Sequence, residues 1–322
     1  MKQESLVPVK ELILIALVQG ICLFLLHQSV ELKFWPYADR GWLIALYSVA
    51  FIAPTLLLLS VEKGTFVRVA KYVAGFSFVA ALVGFYSGWQ SMPVDYVRLD
   101  TILPTLILTM VIAAFKALMY MQQFVSGKAF SYSQLFRWSW RNFLTLLLSM
   151  LFALCFWGVL MLWAELFKAI KINFFHDLFT ERWFYYPAVA LANGFGVIIF
   201  RNLSSVIDTI TRLQQALMKF LLVILSVVSV LFLFGLLFSG LSPLWETGGS
   251  ALILWMQAIL LFFVNAVYQD EPEERPYHIA LHRIIMAGIA LLPLYSIISF
   301  YGLSLRVDQY GWSLMRGWAF IL

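Results

Sequence analysis

Long apolar runs recur along the whole chain and are separated by short polar links. Nine of them are long enough to cross a membrane as helices: residues 12–30, 42–61, 69–89, 101–122, 142–166, 184–200, 216–239, 249–268 and 283–303. An apolar run of about 18 residues or more is typical of a transmembrane helix. A tenth run begins near residue 313. The pattern predicts an all-α, polytopic transmembrane helical bundle with about nine complete spans and a truncated tenth.

The runs are expected to be helices rather than β-strands. Backbone groups in lipid must find hydrogen-bond partners inside their own segment or in a closed barrel. Barrel strands alternate apolar and polar positions over about ten residues, whereas residues 221–238 read LLVILSVVSVLFLFGLLF. We therefore expect a single transmembrane helical domain over residues 1–322, incomplete at its C-terminus.

Composition excludes a soluble protein. Only 12% of the 322 residues are charged, against about 25% in soluble domains. The net charge of +5 comes from Lys and Arg in the links, so it does not indicate a nucleic-acid partner. The predicted partner is the lipid bilayer, with other membrane proteins or a second copy of the chain as further candidates.

The distribution of Lys and Arg predicts the orientation of the chain. The N-terminus and every second link after it carry thirteen of these residues, and the other links and the C-terminal segment carry eight. Cytoplasmic links are enriched in Lys and Arg. We therefore expect a bacterial inner (plasma) membrane protein with a cytoplasmic N-terminus. Two further segments, 167–187 and 126–142, mix aromatic and charged residues and are expected to lie in the membrane interface.

Four polar side chains are predicted to lie inside spans, namely Lys116, Asn193, Gln257 and Asn265. Polar groups in hydrocarbon are costly and often mark a functional site. For Lys116 the alternative is that its long stem carries the ammonium to the nearby interface. For Asn265 we expect a side-chain hydrogen bond to another helix or to a trapped water, because an unpaired polar group in hydrocarbon is strongly unfavourable.

The span at 184–200 has two interpretations. It is short and carries Asn193, Gly194 and Gly196 near its middle, which is the pattern of a helix broken at a substrate site. Alternatively, small residues that recur every four positions from Ala188 to Gly196 let two helices approach closely. The sequence favours packing over a broken helix.

Candidate catalytic or metal-binding chemistry is sparse. The chain has no G-x-S-x-G, Walker lysine loop or H-E-x-x-H. Glu274, His278 and His282 follow one another at intervals of four residues, a spacing that can bind zinc. A solvated charged link explains the same residues, so no cofactor is predicted and catalysis is disfavoured.

Three stretches resemble a bacterial family of multi-pass membrane proteins known as domain of unknown function 4153. They are residues 174–202, residues 239–270 and residues 301–319, which reads YGLSLRVDQYGWSLMRGWA. The resemblance implies a longer chain with further spans, so we expect this chain to be truncated. Where the family has Thr-Pro, this chain has Ser313-Leu314. No activity follows from the resemblance.

The polar stretch 301–312 is predicted to form a tight outer turn between the last two apolar runs. Gly311 suits the end of a helix and Ser313 suits the start of the next. The side chains of Arg306, Asp308 and Gln309 are expected to fix this turn or to line an outer vestibule.

Two functions remain open from sequence. A transport-like or channel-like protein predicts a water-lined cavity near the middle of the bilayer, reached by the polar residues inside the spans. A scaffold or assembly factor for an envelope complex predicts instead that hydrogen bonds between helices occupy those polar groups.

Overall fold

The computed structural model describes residues 7–91, 99–127, 129–241, 250–268 and 277–321. These residues form helices joined by short links, and none of them lies in a β-strand. Within this part of the chain, eight helical stretches are long and apolar enough to cross a membrane. The predicted fold class, an all-α polytopic transmembrane protein, is confirmed. The chain divides into two compact units, Met1–Asp208 and Thr209–Leu322.

Seven helices and the start of an eighth belong to the first unit. They are α1 (Val9–Glu31), α2 (Arg40–Ser60), α3 (Phe66–Gln90), α4 (Leu99–Ser126), α5 (Tyr132–Ala169), α6 (Phe174–Thr180), α7 (Arg182–Asn202) and α8 (Ser204–Ser239), which continues into the second unit. The second unit also contains α9 (Ser250–Val267), α10 (Ile279–Ala290), α11 (Leu292–Tyr310) and α12 (Leu314–Ile321). Each of the nine predicted spans corresponds to one of these helices or, for 283–303, to the pair α10 and α11.

Small residues bring the helices of the first unit into close contact. A Cβ atom added at Gly84 would lie 2.8 Å from Ser48 Oγ, and one at Gly88 would lie 2.8 Å from Gly41 Cα. Both positions are on α3 and face α2. Glycines allow such close approach because they have no side chain, and the gain is van der Waals contact between backbones.

The core of the first unit lies where α1, α2, α3, α4 and α7 meet. Its fully buried side chains include Leu12, Leu58, Val69, Leu118 and Val197. These residues belong to helices far apart in sequence, so the cluster joins the N-terminal helices to α7.

Helix α7 is continuous through Asn193 and both glycines. A Cβ at Gly194 would lie 2.5 Å from the Ala16 Cβ of α1, and one at Gly196 would lie 2.8 Å from the Ser149 Cα of α5. The hypothesis of a broken helix at this point is wrong. The small residues serve close packing on two sides of α7.

Two predicted segments differ from the structure in extent. Helix α5 begins at Tyr132 and continues without a break to Ala169, so the second half of 126–142 is not a separate segment. No Gly or Pro interrupts the first turns of α5, and its 38 residues reach about 57 Å, well beyond a hydrocarbon layer of about 30 Å. The segment 167–187 does contain a separate short helix, α6, whose Phe175 ring lies 5.1 Å from that of Trp163.

The stretch 301–312 is mostly helical rather than a turn. Helix α11 continues to Tyr310, and the chain reverses only at Gly311, where φ is +72°. No residue before Gly311 breaks the helix, and this backbone angle favours glycine. The Arg316 N–H then donates to Ser313 Oγ at 3.3 Å, which confirms Ser313 as the cap of the next helix.

Candidate functional site

The end of helix α2 in the first unit is capped by side chains from two other helices. The last carbonyl groups of a helix have no partner within the helix. The Arg201 guanidinium on α7 donates from Nη1 to the Leu58 carbonyl at 2.6 Å and from Nη2 to the Val61 carbonyl at 2.7 Å. Gln122 Nε2 on α4 donates to the carbonyl of Leu59 at 3.2 Å.

This cap is also favourable electrostatically. The C-terminal end of a helix carries a partial negative charge, so a guanidinium is stabilised there. Arg201 is 8% exposed, and its buried charge is matched by two short hydrogen bonds and by the dipole of α2. The arrangement has the properties of a structural joint between α2 and α7.

Other polar groups of the first unit also bond across helices. Gln122 and Asn142 exchange two amide hydrogen bonds, at 3.1 and 2.7 Å. Gln19 Nε2 on α1 donates to the Ala50 carbonyl at 3.4 Å. That carbonyl lies four residues before Pro54, which has no N–H to donate to it. Hydrogen bonds between helices therefore occupy these polar groups, and none of them is offered to a ligand.

A different arrangement occurs in the second unit, where α9, α11 and α12 line a cavity that opens at the surface of the unit. Its volume is about 140 Å³. The lining residues come from α9, from the first two-thirds of α11 and from the end of α12: Leu254, Gln257, Ser296, Ser299, Phe300, Leu303, Ala319 and Phe320. Gln257 is thus the one predicted site residue that lines this cavity.

The polar groups in the cavity wall are only partly paired. Ser296 Oγ shares its one proton between Gln257 Oε1 at 3.3 Å and the Leu292 carbonyl at 3.1 Å. Gln257 Nε2 and Ser299 Oγ are buried and have no hydrogen-bond partner among the described residues. Ser299 is 3% exposed. Unpaired buried polar atoms are unfavourable by about 1–3 kcal/mol each, so these two atoms mark a place where a partner is expected.

The cavity lies well inside the apolar stretches. Gln257 is near the middle of α9, and Ser296 and Ser299 are near the middle of the apolar stretch Ile279–Tyr310. All the lining residues are uncharged. The site can therefore form hydrogen bonds to a neutral molecule, but it has no charged group with which to hold an ion.

The remaining predicted residues do not join this site. Arg306, Asp308 and Gln309 are exposed on the last turns of α11, and Asn265 is exposed further along α9. The hydrogen bond expected for Asn265 stays a prediction. The turn after α11 is instead fixed by Arg316, whose Nη1 donates to the Tyr310 and Gly311 carbonyls at 3.2 and 2.6 Å.

In the first unit, Lys116 is exposed on α4, on the side away from the buried Leu118. This position favours the snorkelling interpretation over a site cation. Asn193 on α7 has a buried Oδ1 without a hydrogen-bond partner among the described residues. It directly precedes Gly194, which packs against Ala16 of α1.

In the structure, His282 takes part in a hydrogen bond within the second unit. His282 Nδ1 lies 2.9 Å from the Tyr268 hydroxyl, and Glu274 is outside the described residues. The neighbouring Tyr277 hydroxyl donates to the carbonyl of Lys219 at 2.7 Å. Burial raises the pKa of Tyr277 to about 12, so the phenol stays a neutral donor and ties this link to α8.

Ser296, Ser299, Arg201 and Arg316 were not singled out from sequence. Serines inside apolar spans look like small packing residues, and arginines at span ends look like solvated link residues. Spacing along α11 offers one signal, because Ser296 and Ser299 are three positions apart and share a helix face.

These features define an integral membrane protein with a structural helical unit and a second unit that contains a small polar cavity. The chain belongs to the family described as domain of unknown function (DUF4153), which matches residues 12–322. The predicted family is confirmed. No curated protein and no solved structure matches the chain.

Proposed function

We propose that this protein is a transport-like or channel-like protein of the bacterial inner membrane, and that the cavity between α9, α11 and α12 is its solute site. The observation that carries the proposal is the unpaired Gln257 amide and Ser299 hydroxyl in the cavity wall. A transport site needs polar groups that the protein itself leaves free inside the membrane, because they replace the hydration of the solute. Gln257 Nε2 and Ser299 Oγ meet that requirement.

The first unit supports the alternative function, a scaffold or assembly factor. Four of its buried polar side chains, one each on α1, α4, α5 and α7, form hydrogen bonds between helices, whereas Asn193 Oδ1 on α7 has no partner among the described residues. This suits a rigid framework to which other membrane proteins or a second copy bind. The two functions differ in what they require of Gln257, because a scaffold has no use for a free amide beside a cavity.

Solute flux through reconstituted protein tests the transport proposal. We expect proteoliposomes to swell faster than protein-free vesicles in an osmotic gradient of glycerol or urea, measured by stopped-flow light scattering. Gln257→Leu should lower the protein-dependent rate by about tenfold, because the amide can no longer replace solvent around the solute. Trp255→Leu is the matched control, since Trp255 is on the same helix and 69% exposed.

Equal swelling of vesicles with and without the protein would contradict transport of these solutes and favour the scaffold. A normal rate for Gln257→Leu would show that the solute takes another route.

The proposed orientation has its own test. The first unit has a basic end, where Lys63, Arg68 and Arg201 lie near the end of α2, and the opposite end holds Tyr37 and Trp89. We expect the basic end to face the cytoplasm. In a Cys22→Ser, Cys155→Ser background, Tyr37→Cys should react with an impermeant thiol reagent added to intact cells, and Lys63→Cys should react only after the cells are opened. The reverse pattern would overturn this orientation.

A further inference from the structure

We infer that the ligand of the α9–α11–α12 cavity is a small neutral molecule with an apolar body and one hydroxyl-type group. This rests on the proposed solute site and adds the chemical class of its occupant. The class follows from the size of the cavity, from the polar atoms in its wall and from its apolar surfaces.

The size of the cavity indicates how large a group it can hold. A dry cavity of roughly 150 Å³ binds a benzene-sized molecule, and this one measures about 140 Å³. Phe300 and Phe320 are both more than half exposed, so the cavity opens at the surface of the unit, and its volume accommodates a group of about six or seven non-hydrogen atoms.

The polar wall sets the hydrogen-bonding pattern. Gln257 has one amide end engaged with Ser296 and the other end unpaired, and Ser299 Oγ is unpaired in the same wall. A hydroxyl group matches this pair because it accepts one hydrogen bond and donates another. Gln257 Nε2 donates to the oxygen of the ligand, and the hydroxyl proton of the ligand is donated to Ser299 Oγ.

The rest of the wall is apolar and uncharged. Leu254, Phe300, Leu303 and Phe320 cover the other sides, and the Phe320 ring on α12 lies 6.0 Å from that of Phe300 on α11. Such walls favour an apolar body. A carboxylate or ammonium would lose its hydration here without gaining an opposite charge, so ions are rejected.

Three probes of nearly equal shape test separately for the apolar body, the hydroxyl group and the absence of charge. Phenol has the apolar body and the hydroxyl, benzene lacks the hydroxyl, and benzoate adds a charge. Binding to the full chain in lipid nanodiscs is measured by saturation-transfer NMR, with empty nanodiscs subtracted to remove partition into lipid. We expect saturable phenol binding, benzene binding weaker by about fivefold because it lacks the hydrogen bonds, and no saturable benzoate binding.

Variants test whether the preference for phenol over benzene comes from the polar residues in the cavity wall. Ser299→Ala and Gln257→Leu should each reduce the preference for phenol over benzene while benzene binding is retained, which also reports that the cavity is still folded. Trp255→Leu should bind as the parent chain does.

Equal binding of phenol and benzene would overturn the inference in favour of a purely apolar cavity. Saturable benzoate binding would overturn it in favour of a charged site. If no probe binds saturably, the cavity has no such ligand. Selective phenol binding without flux of glycerol or urea in the swelling experiment would contradict transport of those solutes and leave the ligand class intact. Flux of these solutes without phenol binding would support transport and contradict the inferred ligand class.

Discussion

Replacing Arg201 with Met is expected to lower the free energy of unfolding by about 2–5 kcal/mol. The substitution keeps most of the apolar stem but removes the donors to the Leu58 and Val61 carbonyls. Each buried carbonyl left unpaired is unfavourable by about 1–3 kcal/mol. Part of this is offset because Met carries no charge, so the variant avoids the unfavourable burial of a guanidinium. Unfolding of the detergent-solubilised protein, followed by circular dichroism during denaturant titration, measures the change.

Two variants sharpen this comparison. Arg201→Lys keeps a charge at the C-terminal end of α2 but has no fork that reaches both carbonyls, so its stability should lie between those of the parent and Arg201→Met. Arg182→Met is the matched control, because Arg182 is on the same helix and its side chain is 53% exposed. If Arg201→Met were no more destabilising than Arg182→Met, the cap would not be a structural joint.

Replacing Gly88 with Ala is expected to destabilise the fold strongly, although the substitution adds only one methyl group. The added Cβ would lie 2.7 Å from the Arg40 carbonyl carbon and 2.8 Å from Gly41 Cα. Both are backbone atoms of α2, so neither moves without moving the helix. Overpacking of this kind costs about 1–3 kcal/mol or more, and we expect a lower thermal midpoint in detergent.

Gly75 provides the control for this prediction on the same helix. A Cβ at Gly75 would meet nothing within 4 Å, so Gly75→Ala should be neutral or stabilising by up to about 1 kcal/mol. Similar midpoints for the two variants would mean that α3 does not pack on α2 at Gly88 as described.

The sequence predicted the helices well and their ends less well. Long apolar runs predicted helices because backbone groups in lipid must pair within their own segment. Gly311 and Ser313 marked a boundary because Gly311 suits a helix end and Ser313 suits the cap of the next helix. The start of α5 was missed because residues 132–141 are polar and aromatic yet contain no helix breaker. The hydrophobic pattern therefore predicted that the span begins at residue 142, whereas helix α5 begins ten residues earlier, at Tyr132.

The candidate site was predictable only in part. Gln257 could be selected because an amide inside an apolar run is unusual. Ser296 and Ser299 could not, because serines are common in membrane helices and only the packing of α9, α11 and α12 shows which of them line a cavity. For the same reason, no local signal paired Gln122 with Asn142 or Arg201 with the end of α2.

The central claim is that the second unit contains a polar cavity that water can enter inside the membrane. Cysteine accessibility at neighbouring positions of α11 tests it most directly, because both Ser296 and Ile297 are exposed but only Ser296 lines the cavity. In the Cys22→Ser, Cys155→Ser background in native membranes, we expect Ser296→Cys to react with a small hydrophilic thiol reagent at least about ten times faster than Ile297→Cys, because thiolates form and react only where water reaches them. Equal, negligible reaction at both positions would show that the cavity is dry and would contradict this account of the site.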